Sequence, residues 1–179
     1  GGTELSEAVR EILLRREGRV NAMAELLLFS AARAQLVAER VRPALEAGRI
    51  VLCDRFYDST TAYQGAGRGV ADPDWLRGLH ARVTDGLVPD RTYLVELSPD
   101  EARQRRSSSG VPDDRMEAAA DGFYDRVHRA YVDLAEAESD RFVRLDGTAS
   151  IEVLHARIWD DVTALIDARR GTPFSSDGS

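Results

Sequence analysis

The chain has 179 residues, of which 43% are hydrophobic and 31% are charged, so it is long enough for one compact domain with a buried core. Its formal net charge of −7 argues against a general polyanion binder, so we expect no nucleic-acid partner. All of the basic residues are arginine, and local arginine clusters can still bind a small phosphate ligand.

A single cysteine, Cys53, excludes an internal disulfide and fits a reducing cytosol. Because it follows a short apolar run, we expect a buried, inert thiol. The sequence shows no secretory signal peptide, and no apolar run approaches the ~18 residues of a membrane span. These features predict a cytoplasmic protein without a membrane partner.

Hydrophobic periodicity predicts helices that alternate with strands. In chain order, the predicted elements are helices 4–16 and 22–47, strand 50–53, polar loop 57–61, mobile glycine-rich segment 65–69, helix 73–84, strand 92–97, a short helix from 99 into arginines 103–106, flexible segment 107–112, helix 116–138, strand 142–145 and helix 151–168. This order predicts an α/β fold, with a parallel sheet and helices on both of its faces.

Asp54 and Arg55 follow the apolar run 50–53 directly. The carboxyl end of a strand is where open α/β sheets bind ligands. A carboxylate beside a guanidinium can hold a metal ion and a phosphate together. The alternative is that Asp54 caps the next turn and Arg55 forms a surface ion pair.

Phe29 and Arg33 lie four residues apart on the second predicted helix and therefore project from one face. A ring beside a guanidinium suits a flat, hydrogen-bonding ligand such as a nucleobase, since the ring can stack while the guanidinium donates to a carbonyl. A core phenylalanine with an arginine that extends to solvent is the alternative.

Gln64 carries both a donor and an acceptor, which matches the edge of a pyrimidine base. The neighbouring Tyr63 could line a sugar, and Ser59 and Thr60 belong to the same candidate site as Asp54-Arg55. Ordinary packing at a helix end is the alternative for Tyr63 and Gln64.

Several arginines flank the serine-rich segment: Arg103, Arg105 and Arg106 precede it, and Arg115 follows it. A lid that closes over a polyphosphate needs such charges. A solvated basic helix end is the alternative. The three histidines (80, 128 and 155) are scattered at predicted helical positions and form no metal cluster.

Taken together, these motifs resemble thymidylate kinase. The resemblance covers residues 1 to about 168 and rests on GGT (1–3), FSAAR (29–33), RPAL (42–45), DRF (54–56), Ser59, AYQG (62–65), PD (89–90) and DRME (114–117). It implies transfer of the ATP γ-phosphoryl group to dTMP with Mg²⁺, by a homodimer whose interface could include helix 22–47. It also implies one domain over 1–170, with a lid at about 103–115 and a flexible tail at 171–179.

The resemblance also implies a role for each residue. Phe29 would stack on thymine, Arg33 would bond its carbonyl, and Arg55 would hold the dTMP phosphate. The nucleoside pocket would be lined by Ser59, Thr60, Tyr63 and Gln64. Asp54 would lie at the Mg²⁺ and transfer centre. For the ATP side the implied arginines are Arg103, Arg105, Arg106 and Arg115, of which 105 or 106 would reach the ATP phosphates and 115 would lie against adenine.

The sequence contains no G-x-x-x-x-G-K-[ST] motif. The family has this P-loop between its first strand and a helix, so we expect a P-loop kinase-like sheet whose first two strands and P-loop are missing from this chain. Strands 50–53 and 92–97 should then have unpaired edges, and the 179 residues alone should not fold stably. The sequence would be part of a longer chain, or an unrelated piece would fill the gap. A soluble, cooperatively folding sample with an intact mass of 19.7 kDa would contradict this expectation.

Two alternatives to a dTMP kinase stay open at the level of sequence. One is a non-catalytic nucleotide-binding remnant without a P-loop, and the other is a different P-loop nucleoside or nucleotide kinase. Binding of dTMP without turnover would favour the first, and a comparison of dTMP, dUMP, dCMP and thymidine would test the second.

Overall fold

A computed structural model describes residues 2–14, 20–109 and 122–170. The helices are α1 (Glu4–Leu14), α2 (Ala22–Leu36), α3 (Arg42–Glu46), α4 (Tyr57–Thr60), α5 (Pro73–Val83), α6 (Pro99–Ser109), α7 (Phe123–Ala137) and α8 (Ile151–Arg170). The strands are β1 (Thr92–Glu96) and β2 (Phe142–Asp146), and π-helical segments cover Val37–Val41 and Thr61–Gly67.

Strands β1 and β2 pair in parallel, from Thr92 opposite Phe142 to Glu96 opposite Asp146. The predicted parallel arrangement is therefore confirmed for these two strands. Among the described residues β1 has β2 as its sole partner, and Val95 of β1 remains 50% exposed. Helix α8 is anchored to β1, since the Tyr93 hydroxyl donates to the Asp161 carboxylate at 2.6 Å.

The predicted strand 50–53 is wrong, because the segment forms no strand in the structure. An extended segment becomes a strand only when a neighbour satisfies its backbone, and no strand of the described residues pairs with this one. Ile50 and Leu52 are 64% and 86% exposed. The expected buried thiol is wrong for the same reason, since Cys53 is exposed.

The predicted helix 22–47 is present but is not uniformly α-helical. Asn21 caps its start, as predicted, by accepting from the Met23 N–H. The turn before Pro43 is π-helical, and the Arg42 N–H bonds to the Val37 carbonyl. Proline has no N–H and clashes with the carbonyl four residues earlier, so a wider turn accommodates it inside a continuing helix.

The predicted polar loop 57–61 and mobile glycine segment 65–69 are wrong over residues 57–67, which form α4 and the second π-helical segment. Ala62 of that segment packs with Phe123, Val127 and Ala130 of α7 in a buried cluster. Residues 57–67, called the α4 layer below, therefore pack against α7.

Ser98 starts α6 as the sequence predicts, with its side chain and the Glu101 carboxylate bonding each other's backbone N–H. The helix is longer than expected, since Ser107–109 form its last turn instead of a flexible segment. Ser108 Oγ donates to the Gln104 carbonyl at 2.8 Å, which satisfies its hydroxyl inside the helix.

The remaining helices largely follow the prediction. Asp72 caps α5 by accepting from the Trp75 N–H. All three histidines lie on helices, as expected. Several predictions fall outside the described residues, namely the end of the first helix, the segment 110–121 with the DRME motif, and the tail 171–179. Within the described residues no helix is long and apolar enough to cross a bilayer.

Candidate active site

One stripe of α2 faces the segment 56–64. Glu25, Phe29 and Arg33 follow each other at four-residue steps, so they share a face of the helix. Glu25 accepts a hydrogen bond from Gln64, and Arg33 donates one to the Phe56 carbonyl. Phe29 is half-buried between these two contacts. The ends of the stripe therefore lie against the segment that directly follows Arg55.

Arg33 has a buried donor without a partner. Its Nη2 donates to the Phe56 carbonyl at 3.2 Å, and its guanidinium lies 5.7 Å from the centre of the Phe56 ring. Its Nη1 is buried and has no hydrogen-bond partner among the described residues. Burial lowers the pKa of Arg33 to about 10, so the side chain is still charged at neutral pH. A buried guanidinium donor that no protein atom accepts is costly unless a ligand or water accepts it.

Asp54 and Arg55 are exposed and lie in a bend before α4. Arg55 has a φ of 70°, the left-handed region that a side chain with a Cβ adopts at a cost. Its guanidinium lies 5.1 Å from the centre of the Tyr63 ring. This backbone turns the Arg55 side chain back over the α4 layer, where the ring holds it in place.

An aromatic wall supports Arg55. Tyr63 makes edge-on contacts with Phe123 and Tyr131, at centroid distances of 6.1 and 6.4 Å. The Ser59 and Tyr131 hydroxyls share a hydrogen bond of 2.8 Å. Burial raises the pKa of Tyr131, so its hydroxyl stays protonated at neutral pH.

Gln64 and Thr60 are almost fully buried, with 2% and 1% of their surfaces exposed. The Gln64 Nε2 donates to the Glu25 Oε1 at 2.9 Å. Thr60 lies inside the α4 layer. Its part in a substrate site stays a prediction.

His80 of α5 lies against the same layer. Its Nε2 and the Thr61 hydroxyl are 2.9 Å apart, and its ring stacks on Tyr57 at 5.1 Å. Burial, and then the charge of Arg33, lower the pKa of His80 from 6.5 to about 4. The imidazole is therefore neutral at pH 7 and adds no positive charge beside Arg33.

Three of the four candidate lid arginines, 103, 105 and 106, lie on α6, and the structure describes the side chains of two of them. Arg105 Nη2 donates to the Gly147 carbonyl at 3.0 Å, beside a cavity of about 500 Å³ lined also by Glu101, Gln104, Ser108 and Thr148. Arg103 pairs with Asp100 and lies 3.9 Å from Asp125. The Arg106 side chain and all of Arg115 lie outside the described residues.

Among the described residues, no group of three or more histidine, cysteine, aspartate or glutamate side chains could hold a metal ion. Asp54 offers one exposed carboxylate. One carboxylate does fit Mg²⁺, because this ion is usually held by one or two carboxylates together with substrate phosphates and water.

Sequence reasoning missed two residues of this site. Glu25 could have been found, because it precedes Phe29 by one helical step on the same stripe. Tyr131 gave no local signal, because it lies 72 residues from Ser59 in the chain.

The family model described as thymidylate kinase matches residues 1–158. The chain belongs to the thymidylate kinase family. The thymidylate kinase of Deinococcus radiodurans is 48% identical over 163 residues, which are 91% of this chain and 78% of that protein. That of Pelodictyon phaeoclathratiforme is 44% identical over 166 residues, covering 88% and 76%.

A crystal structure of the thymidylate kinase from Ehrlichia chaffeensis agrees with the fold. It superposes with a TM-score of 0.70 at 31% sequence identity, over 91% of this chain and 76% of that one. The family resemblance inferred from the sequence motifs is thus confirmed. Two of those motifs, FSAAR (29–33) and DRF (54–56), meet where Arg33 donates to the Phe56 carbonyl.

Proposed function

We propose that this protein transfers the γ-phosphoryl group of ATP to dTMP, giving dTDP. The observation that carries the proposal is the buried Arg33 Nη1, which has no partner among the described residues and shares a helix stripe with Phe29. A carbonyl oxygen of thymine is the acceptor that this donor lacks, and the Phe29 ring offers a face on which the base can stack.

The dTMP phosphate is assigned to Arg55. Its guanidinium can form two parallel hydrogen bonds with phosphate oxygens, and its left-handed backbone and the Tyr63 ring fix its direction. Ser59 and Tyr63 line the nucleoside between base and phosphate. Tyr131 holds these two side chains in place, through its hydrogen bond with Ser59 and its edge contact with Tyr63.

In the reaction, an oxygen of the dTMP phosphate forms a bond to the γ-phosphorus of ATP. The bond from that phosphorus to the β–γ bridging oxygen breaks, and ADP leaves. Such transfers depend mainly on positioning and on neutralising charge. Mg²⁺, when bound, would neutralise phosphate charge, and Asp54 is the residue we assign to hold it.

The ATP side is assigned to the arginines of α6 and to Arg115. Arg105 lies beside the cavity next to Gly147. Among the described residues β1 pairs with β2 alone, which fits a P-loop kinase-like sheet in which a further strand pairs with β1. A homodimer that uses α2 is compatible with the 49% exposure of Leu27.

Neither alternative from the sequence is favoured. The relatives quoted above are named as thymidylate kinases, and no observation in the described residues argues for a non-catalytic remnant or for another nucleotide kinase.

The proposal is tested by measuring dTDP formation from dTMP, ATP and Mg²⁺, with dTMP binding measured in parallel by calorimetry. Arg55→Ala removes the phosphate contact and should lower the rate by about two to three orders of magnitude, as loss of a few kcal/mol of charged hydrogen bonding implies. Arg77→Ala is the matched control, because Arg77 is exposed on α5 and pairs with Asp74. Near-normal turnover by Arg55→Ala would remove Arg55 from the mechanism, and absence of dTMP binding by the unaltered protein would contradict the function.

A further inference from the structure

We infer that Glu25 is a positioning residue that fixes which end of the Gln64 carboxamide is presented to the base, and so contributes to rejection of cytosine. The inference rests on the proposed dTMP site. Its basis is the contact between the Gln64 Nε2 and the Glu25 Oε1, at 2.9 Å between two side chains that are 2% and 1% exposed.

The chemistry of the contact leaves one orientation. A carboxylate oxygen accepts hydrogen bonds and has no hydrogen to donate, so the nitrogen end of the carboxamide must face Glu25. The oxygen end then faces away from Glu25. Because both groups are buried, water does not compete for either end, and a reversed carboxamide would set two oxygens against each other.

The Arg68 guanidinium also lies against the Glu25 carboxylate. Arg68 Nε lies 3.6 Å from the same Oε1 of Glu25, and the Arg68 guanidinium lies 5.0 Å from the centre of the Phe123 ring. One hydrogen bond, from Gln64, and one ion pair, with Arg68, thus meet at the same carboxylate oxygen. The guanidinium also neutralises a charge that would be costly to bury alone.

The consequence is a fixed pattern of hydrogen-bonding groups for the base. The Gln64 oxygen is an acceptor, and the Arg33 Nη1 is a donor. Thymine and uracil present an N3–H donor and an O4 acceptor, which match this pair. Cytosine presents an N3 acceptor and a 4-amino donor, so both contacts are mismatched. If Glu25 did not hold the carboxamide, it could turn and donate to the cytosine N3.

Binding of three nucleotides separates this role from a structural one. Dissociation constants for dTMP, dUMP and dCMP are measured by calorimetry on the full chain, with dCMP also titrated in competition with dTMP. The key variant is Glu25→Met combined with Arg68→Met, which removes the acceptor without leaving an unpaired buried charge. It should weaken dTMP and dUMP by the same factor, about three- to tenfold as expected for one hydrogen bond, and dCMP by less.

Glu25→Gln is the matched control. Its carbonyl oxygen can still accept from Gln64 and Arg68, so the ratio of dTMP to dCMP affinity should stay within about twofold of the original. In a Gln64→Leu background, the Glu25→Met and Arg68→Met pair should not change that ratio further, because the group it acts through is gone.

Three results would overturn the inference: an equal loss for all three nucleotides, an unchanged ratio in the double variant, or a Glu25→Gln variant that loses discrimination as fully as the double variant. If the unaltered protein does not bind dTMP at all, the proposed function fails together with the inference. If the protein binds dTMP and discriminates against dCMP equally well without Glu25, the inference is wrong but the proposed function is not.

Discussion

The surroundings of His80 keep its imidazole neutral, and this makes the stability of the protein depend on pH. Burial and the Arg33 charge lower the pKa of His80 to about 4, while an unfolded histidine titrates near 6.5. Between these values the unfolded state binds more protons than the folded state. The free energy of unfolding therefore falls as pH drops from about 6.5 to 4, and this contribution levels off below pH 4.

We predict that His80→Asn removes much of this pH dependence, because asparagine does not titrate and can still bond Thr61. Between pH 7.5 and pH 5.0 the unaltered protein should lose about 1–2 kcal/mol more than the variant, after allowance for solvent screening around the ring. Urea unfolding at the two pH values measures the difference. His155→Asn, at an exposed position on α8, is the control and should behave like the unaltered protein; equal pH dependence in His80→Asn would refute the role of His80.

Part of the arrangement of the candidate site follows from helical spacing. Phe29 and Arg33 were paired by their four-residue spacing, and the structure brings Arg33 to the backbone of the Asp54-Arg55-Phe56 motif. The left-handed backbone of Arg55 could not be predicted, because nothing in the side chain of an arginine favours a positive φ. That conformation depends on the packing around it.

The π-helical segment Thr61–Gly67 contains two glycines that let it pack closely against α5 and α7. A Cβ built on Gly65 would lie 2.6 Å from a methyl of Leu76, and one built on Gly67 would lie 2.6 Å from the Phe123 ring. From the sequence alone these glycines indicate a mobile loop, because glycine disfavours helices. Close packing against α5 and α7 overrides that propensity, which a single sequence does not reveal.

We expect Gly67→Ala to destabilise the protein by about 1–3 kcal/mol, because the new methyl group clashes with Phe123 and Val127. The control is Gly78→Ala inside α5, where a Cβ meets no atom within 4 Å. That change should stabilise the protein by about 0.5–1 kcal/mol through helix propensity. The midpoints of urea unfolding report both effects, and a neutral Gly67→Ala would show that the segment does not pack as described.

A buried ion pair joins parts of the molecule that are distant in the chain. Arg141, just before β2, forms two hydrogen bonds with Asp58 of α4, at 3.0 and 2.6 Å. It also donates to the Thr92 hydroxyl of β1 at 2.7 Å. The side chains of Arg141 and Asp58 are 9% and 6% exposed, so this pair joins the α4 layer to the sheet and is shielded from water.

Removal of Asp58 should leave the buried Arg141 charge with Glu138, a partner whose side chain is 42% exposed, at 2.7 Å. We predict that Asp58→Ala lowers the free energy of unfolding by about 3–5 kcal/mol, and that adding Arg141→Met recovers part of the loss. Asp74→Ala breaks an exposed pair with Arg77 and should cost less than about 1 kcal/mol. A loss below 1 kcal/mol for Asp58→Ala would mean that the pair does not hold the layer to the sheet.

The alternation of helices and strands predicted the α/β class and the parallel pairing of β1 with β2. The prediction of a strand at 50–53 was wrong because an apolar run forms a strand only when another strand pairs with it. Such pairing depends on the whole sheet and not on the local sequence. Asp58 and Arg141 are 83 residues apart in the sequence, so no local pattern could have indicated their contact.

A crystal structure of the protein with dTMP would show directly where the nucleotide binds. We predict that the thymine ring lies against Phe29, that its O4 lies about 3 Å from the Arg33 Nη1, and that Arg55 contacts the phosphate. A nucleotide bound away from α2, for example in the cavity beside Arg105, or an Arg33 Nη1 bonded to protein alone in the complex, would contradict the account.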